Sequence, residues 1–145
     1  MTLPPGITLV VEDRPAREDV EVLPDGLEAF NEAAWPGHQR WAPLAVFLRQ
    51  EGRVLGGLAG ETYAGWLFIR YLYLPEPLRR AGIGRAVIAA AERQAARRGC
   101  HSACVDTFSF QAPGFYAKQG YVEFGRLPYP PRGERIFLRK ALAGR

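Results

Sequence analysis

The segment from Trp66 to the helix that follows it constrains the fold more than any other part of this chain. Trp66–Leu74 is a run of aromatic and β-branched residues with one charge, which predicts a central, buried strand. Pro75 and Pro77 end that strand. Gly82-Ile83-Gly84 then opens an amphipathic helix. A buried strand followed directly by such a helix favours helices packed on a sheet, so we expect an α/β protein.

The other sequence patterns extend this arrangement along the chain. The predicted elements are, in order, a strand at Ile7–Val11, a helix at Leu23–Trp35, strands at Leu44–Arg49, Val54–Thr62 and Trp66–Leu74, the helix that opens at Gly82, a strand at Ala103–Phe108, a helix at Gln111–Gln119, and strands at Tyr121–Leu127 and Arg135–Leu142. This order predicts a mixed sheet with helices on its faces. At 145 residues, the chain fits a single domain spanning residues 1–145.

Composition excludes several classes of protein. No apolar run approaches the roughly 18 residues that span a bilayer, and the N-terminus lacks a basic segment followed by an apolar one. Two cysteines are too few for a secreted disulfide scaffold. Cys100, Cys104 and His101 do not make a zinc site, because the sequence offers no second ligand pair. We therefore expect a cytoplasmic protein without a metal, and we expect His38 to lie on the surface.

The net charge of +4 hides a strong asymmetry. Residues 1–36 carry two arginines against eight acidic residues, whereas residues 37–145 carry 17 basic and 7 acidic residues. The basic part is suited to nucleic acid, a membrane surface or a small polyphosphate, and charge alone does not choose among them.

The basic residues are most concentrated around the glycines at the helix start. Arg79, Arg80 and Arg85 flank Gly82-Ile83-Gly84. The free backbone N–H groups at a helix start can bind an anion, and glycines let the anion come close to them. The segment has no Lys-Ser/Thr after the second glycine, and Val87 stands where a dinucleotide fingerprint needs its third glycine. A nucleotide hydrolase and a Rossmann dehydrogenase are therefore disfavoured. These residues alone are equally consistent with an ordinary strand-to-helix turn whose arginines are solvated.

Two motifs together give a more specific interpretation. Arg79-x-x-Gly82-x-Gly84 resembles the pyrophosphate loop of the GNAT superfamily of acyl-CoA N-acyltransferases, and Phe115-Tyr116-Ala117-Lys118-Gln119-Gly120-Tyr121 resembles that family's Phe-Tyr-x-x-x-Gly-Phe/Tyr signature. The stretch from Thr107 to Tyr116 also resembles a group of small bacterial members of unassigned substrate. The resemblance covers residues 44–142 well and the N-terminal third only by element order.

The resemblance implies a fold and a donor substrate. In this family acetyl-CoA lies in a split between two neighbouring strands, here Leu67–Leu74 and Ala103–Phe108, and no metal is needed. The backbone N–H groups of residues 80–85 should hold the pyrophosphate, while backbone groups of Leu72 and Leu74 should pair with the pantetheine arm. The residues expected to contact acetyl-CoA are Leu72, Tyr73, Leu74, Arg79, Arg80, Ala81, Gly82, Ile83, Gly84, Arg85 and Phe115.

The resemblance also implies direct attack of a neutral amine on the thioester. Tyr116 aligns with the family's general acid, which protonates the departing thiolate. Glu61 and Asp106 are both candidates for the base, directly or through water, and the sequence does not choose between them. Many relatives carry an acidic residue in the middle of the central strand, where this chain has Arg70. Arg70 either binds a carboxylate or phosphate of the substrate or pairs with Glu61 or Asp106 across the sheet.

The expected function is therefore N-acetylation of a primary amine of a small molecule, with a homodimer allowed by the resemblance. A membrane is not expected as a partner, and nucleic acid is disfavoured. Three alternatives remain open at this stage: a GNAT-like protein that binds acyl-CoA without turnover, an acetyltransferase that acts on a protein or a charged tRNA, and a nucleic-acid-binding module that uses the basic segment.

Overall fold

The computed structural model describes residues 1–142, which fall into two compact units. The first unit is Met1–His38 and contains one helix, α1 (Arg17–Ala34). The second unit begins at Gln39 and contains six strands and the other helices. Across residues 1–142, no helix combines the length and the apolar character that crossing a membrane requires.

The predicted strand at Ile7–Val11 does not form. The side chains of Ile7, Leu9, Val10 and Val11 are 56–85% exposed. An isolated apolar run needs a neighbouring strand to satisfy its backbone groups, and no described strand pairs with this one. The prediction was wrong because the local pattern was present while the pairing was not.

Helix α1 is longer than predicted, and it begins at Arg17 rather than Leu23. Its first turn carries Glu18 and Asp19, whose negative charges suit a helix N-terminus. The apolar spacing used for the prediction starts later in the segment, so it could not locate this first part. His38, expected on the surface, is instead 5% exposed. Its Nε2 lies 2.8 Å from the Glu28 carboxylate.

In the second unit, the predicted strands and helices all form, with shifts of a few residues at their ends. The elements are β1 (Ala42–Gln50), β2 (Arg53–Tyr63), β3 (Trp66–Tyr73), a 3-10 turn (Glu76–Leu78), α2 (Ile83–Arg97), β4 (Ser102–Phe108), α3 (Pro113–Lys118), β5 (Val122–Tyr129) and β6 (Gly133–Ala141). They form one sheet in the order β1-β2-β3-β4-β6-β5. Only β3 and β4 are parallel, and the other neighbours are antiparallel. The expected mixed α/β architecture is confirmed.

The two faces of this sheet differ because side chains alternate along each strand. On one face, which we call the helix face, Leu67, Ile69, Val105 and Leu138 are buried together with apolar residues of α2. Phe68, Arg70, Asp106 and Phe137 alternate with them and point to the opposite face. The sheet therefore presents an apolar core on one side and charged and aromatic side chains on the other.

The sheet opens between β3 and β4. Pairing between these strands runs from Trp66↔Ser102 to Ile69↔Val105 and then stops. On its other side β3 pairs Ile69 with Gly60 and Tyr71 with Ala59, so that Arg70 is an extra residue in a β-bulge. A bulge increases the local twist of a strand and redirects its side chains. The bulge at Arg70 thus coincides with the start of the expected split.

Candidate active site

A cavity of about 590 Å³ occupies the split on the helix face, and we call it the split cavity. Its walls are β3 from residue 69 onward, the end of β4, and the start of α3. Beyond Ile69 and Val105 the two strands no longer pair with each other. Backbone groups along these facing edges can therefore accept an extended, peptide-like ligand as if it were an added strand.

A second and larger cavity of about 910 Å³ lies over the start of α2, and we call it the loop cavity. Gly82 is the N-cap of α2 with φ +78°, and Arg80 has φ +65°. The first helical hydrogen bond runs from the Ala86 N–H to the Gly82 carbonyl, so the amides just before Ala86 have no partner within the helix. Left-handed residues at such a start turn successive N–H groups toward one point and create an anion site.

The space in front of this loop fits an anionic ligand. A methyl group added at Gly82 would meet no atom within 4 Å, so the backbone is open to close approach. Arg79, Arg80 and Arg85 line the same cavity and supply positive charge. Arg79 is also bonded within the protein, because its Nε donates to the Leu74 carbonyl at 2.8 Å. That contact holds the end of β3 against the loop.

Gly84 joins the loop to α3 by close packing. A Cβ at this position would lie 3.1 Å from two ring atoms of Phe115 and 3.3 Å from Leu74 Cδ1. Any side chain larger than hydrogen would push on these neighbours. Phe115 lines both cavities, and its ring meets that of Tyr116 edge to face at 5.3 Å between centroids. The second glycine thus places α3 and Tyr116 beside the split.

Tyr116 lines the split cavity and is 7% exposed. Burial, with a smaller contribution from the Asp106 carboxylate, raises the pKa of its phenol to about 12. In residues 1–142 the Tyr116 hydroxyl makes no hydrogen bond. At neutral pH this side chain therefore holds a proton that no acceptor among residues 1–142 engages.

Glu61 and Arg70 form a two-point ion pair between β2 and β3. Arg70 Nε donates to Glu61 Oε1 at 2.8 Å, and Nη2 donates to Oε2 at 2.6 Å. These hydrogen bonds are the main reason that the pKa of the Glu61 carboxyl lies below its usual value, with a further one from the Trp41 side chain. Both Glu61 oxygens are occupied, so this carboxylate is poorly suited to take a proton.

Asp106 has a partner that sequence reasoning missed. Arg135 Nε donates to Asp106 Oδ1 at 2.8 Å across the β4–β6 pair. Arg135 also donates from Nη1 to the Tyr129 hydroxyl at 3.3 Å, and its guanidinium lies 5.3 Å from the centre of the Phe137 ring. No local motif marks this arginine. Only the register of the last strand brings it beside Asp106.

Gln111 is a second residue that sequence reasoning missed. Its Oε1 accepts hydrogen bonds from the Phe108 backbone N–H at 2.8 Å and from the Thr107 hydroxyl at 2.9 Å. Because the backbone N–H can only donate, these bonds fix which end of the amide is oxygen. The two N–H groups of Nε2 therefore face away from the strand. Gln111 lines both the split cavity and the loop cavity. Its position just after the strand end was the only available sequence signal.

A third cavity of about 350 Å³ opens on the opposite face of the sheet, and we call it the opposite-face cavity. It shares five lining residues with the split cavity: Ile69, Arg70, Tyr71, Val105 and Asp106. The two cavities therefore lie on either side of the same residues, among them Arg70 and Asp106. Cys104 lines this third cavity, and burial raises the pKa of its thiol to about 11, so it stays protonated at neutral pH.

The structure brings most of the predicted site residues together. The split cavity or the loop cavity is lined by Arg70, Leu72, Tyr73, Leu74, Arg79, Arg80, Gly82, Gly84, Arg85, Asp106, Phe115 and Tyr116. Glu61, Ala81 and Ile83 line neither of these two cavities. Glu61 is bonded to Arg70, which does line the split cavity. Ala81 and Ile83 lie in the loop at the start of α2, where their backbone groups are the relevant ones.

The chain matches a known family over most of its length. The model of the Acetyltransferase (GNAT) family matches residues 9–121. The acetyltransferase Atu2258 of Agrobacterium fabrum is 33% identical over 131 residues, which are 90% of this chain and 95% of that protein.

Two further relatives agree with this match. The blasticidin-S acetyltransferase of Streptomyces morookaense is 40% identical over 95 residues, which are 61% of this chain and 70% of that protein. The crystal structure of an Agrobacterium tumefaciens protein assigned as an acetyltransferase superposes with a TM-score of 0.86. It is 32% identical, and the match covers 93% of this chain and 99% of that one.

Proposed function

Because this chain belongs to the Acetyltransferase (GNAT) family and is an acyltransferase enzyme, we propose that it transfers the acetyl group of acetyl-CoA to the primary amine of a small molecule. One observation carries the proposal: a cavity on the helix face and a cavity on the opposite face adjoin at the split and share Arg70 and Asp106 in their walls. A donor and an acceptor can thus approach one reaction point from two sides, as direct transfer requires.

The loop cavity is suited to the diphosphate of acetyl-CoA. The loop offers backbone N–H groups at the start of α2, an open approach at Gly82, and the side chains of Arg79, Arg80 and Arg85. Backbone donors and arginines together bind phosphate oxygens strongly. We assign this loop, including the backbones of Ala81 and Ile83, to diphosphate binding.

The split cavity is suited to the pantetheine arm and the thioester. Leu72 and Tyr73 at the end of β3, the following Leu74, and Phe115 of α3 all line this cavity. The Leu74 carbonyl accepts one hydrogen bond from Arg79, and we assign the Leu74 N–H to pairing with the arm. We assign Gln111 to the same task, because its outward N–H groups lie where the two cavities meet and can donate to an amide carbonyl of the arm.

Tyr116 acts as the general acid in this proposal. The amine nitrogen attacks the thioester carbonyl carbon, the new C–N bond forms, the C–S bond breaks, and the departing thiolate takes the phenolic proton of Tyr116. The raised pKa of Tyr116 keeps that proton in place at neutral pH. Its protein environment offers the hydroxyl no other hydrogen-bond acceptor among the described residues.

Asp106 is the better of the two candidate bases. It lines both cavities at the point where they meet, whereas Glu61 lines neither of them. Arg135 Nε bonds one Asp106 oxygen, which leaves the other available to accept the amine proton directly or through a water. Both Glu61 oxygens are held by Arg70. We therefore assign proton removal to Asp106 and assign Glu61 to holding Arg70 at the acceptor side of the split.

A small-molecule acceptor is supported by the size of the opposite-face cavity, about 350 Å³, and by the relative that is named for acetylating blasticidin S. Arg70 remains a candidate substrate-binding residue, since it lies at that cavity and is 60% exposed in its side chain.

Two measurements test this function. Acetyl-CoA at about 100-fold excess over its dissociation constant should stabilise the protein by about 2.7 kcal/mol, visible as a higher melting temperature. Thiol release from acetyl-CoA across a panel of small amines should then exceed the rate without acceptor. If acetyl-CoA leaves the melting temperature unchanged, the donor assignment is wrong. If it binds and no amine accelerates thiol release, the proposed transfer to a small amine is wrong.

A further inference from the structure

The opposite-face cavity combines aromatic rings with two ion pairs. Its lining residues are Phe68, Ile69, Arg70, Tyr71, Cys104, Val105, Asp106, Phe124, Arg135 and Phe137. The rings of Phe68, Phe124 and Phe137 offer apolar surface to a ligand. Phe68 and Phe124 are 38% and 56% exposed, so their faces are accessible. A ligand with an aromatic ring would gain both apolar burial and ring contacts here.

The charges around this cavity are balanced. Glu61 neutralises Arg70 through two hydrogen bonds, and Asp106 neutralises Arg135 through one. The four groups therefore carry no net charge at neutral pH. A polyamine or another polycation would find each carboxylate already paired with an arginine, and it would meet the exposed guanidinium of Arg70 and the half-buried guanidinium of Arg135. This arrangement disfavours highly cationic acceptors.

Each arginine retains an unused donor on its guanidinium. Arg70 uses Nε and Nη2 for Glu61, and Arg135 uses Nε and Nη1 for Asp106 and Tyr129. Within the described part of the chain, Arg70 Nη1 and Arg135 Nη2 make no hydrogen bond. Such N–H groups bind carboxylates by charge-assisted hydrogen bonds. Beside them, the second Asp106 oxygen, which Arg135 does not bond, can accept a single hydrogen bond from an incoming ammonium.

From this arrangement we propose that the acceptor is a zwitterion: a primary amine whose molecule also carries a carboxylate and an aromatic ring. The ammonium approaches Asp106 at the mouth of the split, the carboxylate binds the free N–H groups of Arg70 and Arg135, and the ring packs on the phenylalanines. The inference rests on the proposed acetyltransferase function and specifies the substrate class of that site. It extends the role of Arg70 to Arg135, which faces the same cavity from the other side of the split.

Matched compounds test the substrate class directly. The probes are phenylalanine, tyrosine and tryptophan, the methyl ester of each, the decarboxylated amine of each, and spermidine as a polycation. Calorimetry measures the binding of each compound to the CoA-saturated enzyme, which holds no acetyl group and so cannot react. Thiol release from acetyl-CoA measures the use of each compound as a substrate. We expect at least one of the amino acids to bind. Its kcat/KM should be about 10-fold or more above that of its ester and that of its decarboxylated amine. Spermidine should be the poorest substrate of the set.

Three outcomes overturn this proposal. They are equal or better use of the esters and decarboxylated amines, preference for spermidine, and failure of every amino acid to bind the CoA-saturated enzyme. Acetyl-CoA binding and thiol release with any amine are scored separately. The acceptor class can thus fail while the acetyltransferase function stands, and a protein that does not bind acetyl-CoA contradicts the function itself.

Variants separate a carboxylate contact from a structural effect. Arg135→Gln and Arg70→Gln should each bring the ratio of kcat/KM for amino acid over ester close to 1, while the Kd for acetyl-CoA stays unchanged. A merely structural role would lower both kcat/KM values equally and keep their ratio. Arg53→Gln, at the exposed start of β2, is the matched control and should keep the wild-type ratio. A wild-type ratio in both cavity variants would overturn the assignment.

Discussion

Arg70 holds both oxygens of Glu61 from the bulge in β3, with Nε–Oε1 and Nη2–Oε2 distances of 2.8 and 2.6 Å. The pair forms between strands that are neighbours in the sheet, at the level where β3 parts from β4. The sequence left two roles open for Arg70, a substrate clamp or a partner of a sheet carboxylate. The structure shows the partner role, and because Arg70 Nη1 makes no bond among the described residues, the first role is compatible with it.

The Glu61–Arg70 pair predicts a specific pH dependence of stability. The pKa of Glu61 is lower in the folded protein than its usual value of 4.5. The stabilisation is therefore present above pH 4.5 and is lost as the pH falls through the folded-state pKa. Since Arg70 is largely exposed, Glu61→Gln should cost only about 0.2–1 kcal/mol at pH 7. Urea unfolding should show this difference shrinking as the pH falls below 4.5 and through the folded-state pKa of Glu61, and a difference that does not change with pH would contradict it. Glu51→Gln, at an exposed turn, is the control.

Removing the Tyr116 hydroxyl should slow the reaction without weakening donor binding. Tyr116→Phe keeps the ring that packs on Phe115 and Tyr121, so we expect kcat to fall about 10²–10⁴-fold with an unchanged Kd for acetyl-CoA. Because the pKa of Tyr116 is raised to about 12, the wild-type rate should show no loss from phenol ionisation between pH 7 and 10. Thiol-release kinetics across this range measure both effects. A wild-type kcat in the variant would remove Tyr116 from the mechanism.

Neutralising Asp106 should lower the activity more than neutralising Glu61. Asp106→Asn should lower kcat/KM about 10²-fold or more, whereas Glu61→Gln should lower it about 10-fold or less, because Glu61 lines neither cavity. Arg135→Gln, assayed with an amine that lacks a carboxylate, removes the same ion pair while keeping the Asp106 carboxylate and controls for lost structure at Asp106. If Glu61→Gln proves the more damaging change, proton removal belongs to Glu61.

Local signals were enough to predict the fold of the second unit. Alternating residues in β1 and β2, the apolar run of β3, and the stripe in α2 are each visible within about ten residues. Ile7–Val11 carries the same kind of signal and forms no strand, because a strand also needs a partner that a local pattern cannot supply. The start of α1 was missed for the opposite reason, since its charged first turns carry no apolar spacing.

In the candidate site, too, contiguous motifs were predicted from the sequence, whereas pairs of residues distant in sequence were not fully predicted. The loop around Gly82 and the aromatic pair at Phe115 and Tyr116 are contiguous motifs, so the sequence predicted them as candidates. The Asp106–Arg135 and Glu61–Arg70 pairs depend on strand register, and the second also depends on a bulge. A shift of one residue in register would place either arginine on the other face. The sequence therefore left Glu61 and Asp106 as alternative partners of Arg70, and the folded chain shows that Arg70 pairs with Glu61 and that Asp106 pairs with Arg135.

Two glycines at opposite ends of α2 separate backbone strain from ligand binding. Gly82 has φ +78° and Gly99 has φ +90°, and a Cβ at either would meet no atom within 4 Å. Alanine in this left-handed conformation should cost about 1–2 kcal/mol at each position. Thermal unfolding should therefore report similar losses for Gly82→Ala and Gly99→Ala. Only Gly82→Ala should also weaken acetyl-CoA binding, measured by calorimetry. Equal donor affinity in the two variants would contradict the assignment of the loop.

The outward N–H groups of Gln111 predict hydrogen bonds to the pantetheine arm of acetyl-CoA. Gln111→Glu can still accept from Phe108 and Thr107 but lacks the two N–H donors. We expect about a 10-fold rise in Kd for acetyl-CoA and a similar rise for acetyl-pantetheine, which has the arm but no diphosphate. A short acetyl thioester without the pantetheine amides should react equally well with both proteins. Weakening confined to acetyl-CoA would instead mean that the new charge repels the diphosphate, and Gln111 would then have no role in holding the arm.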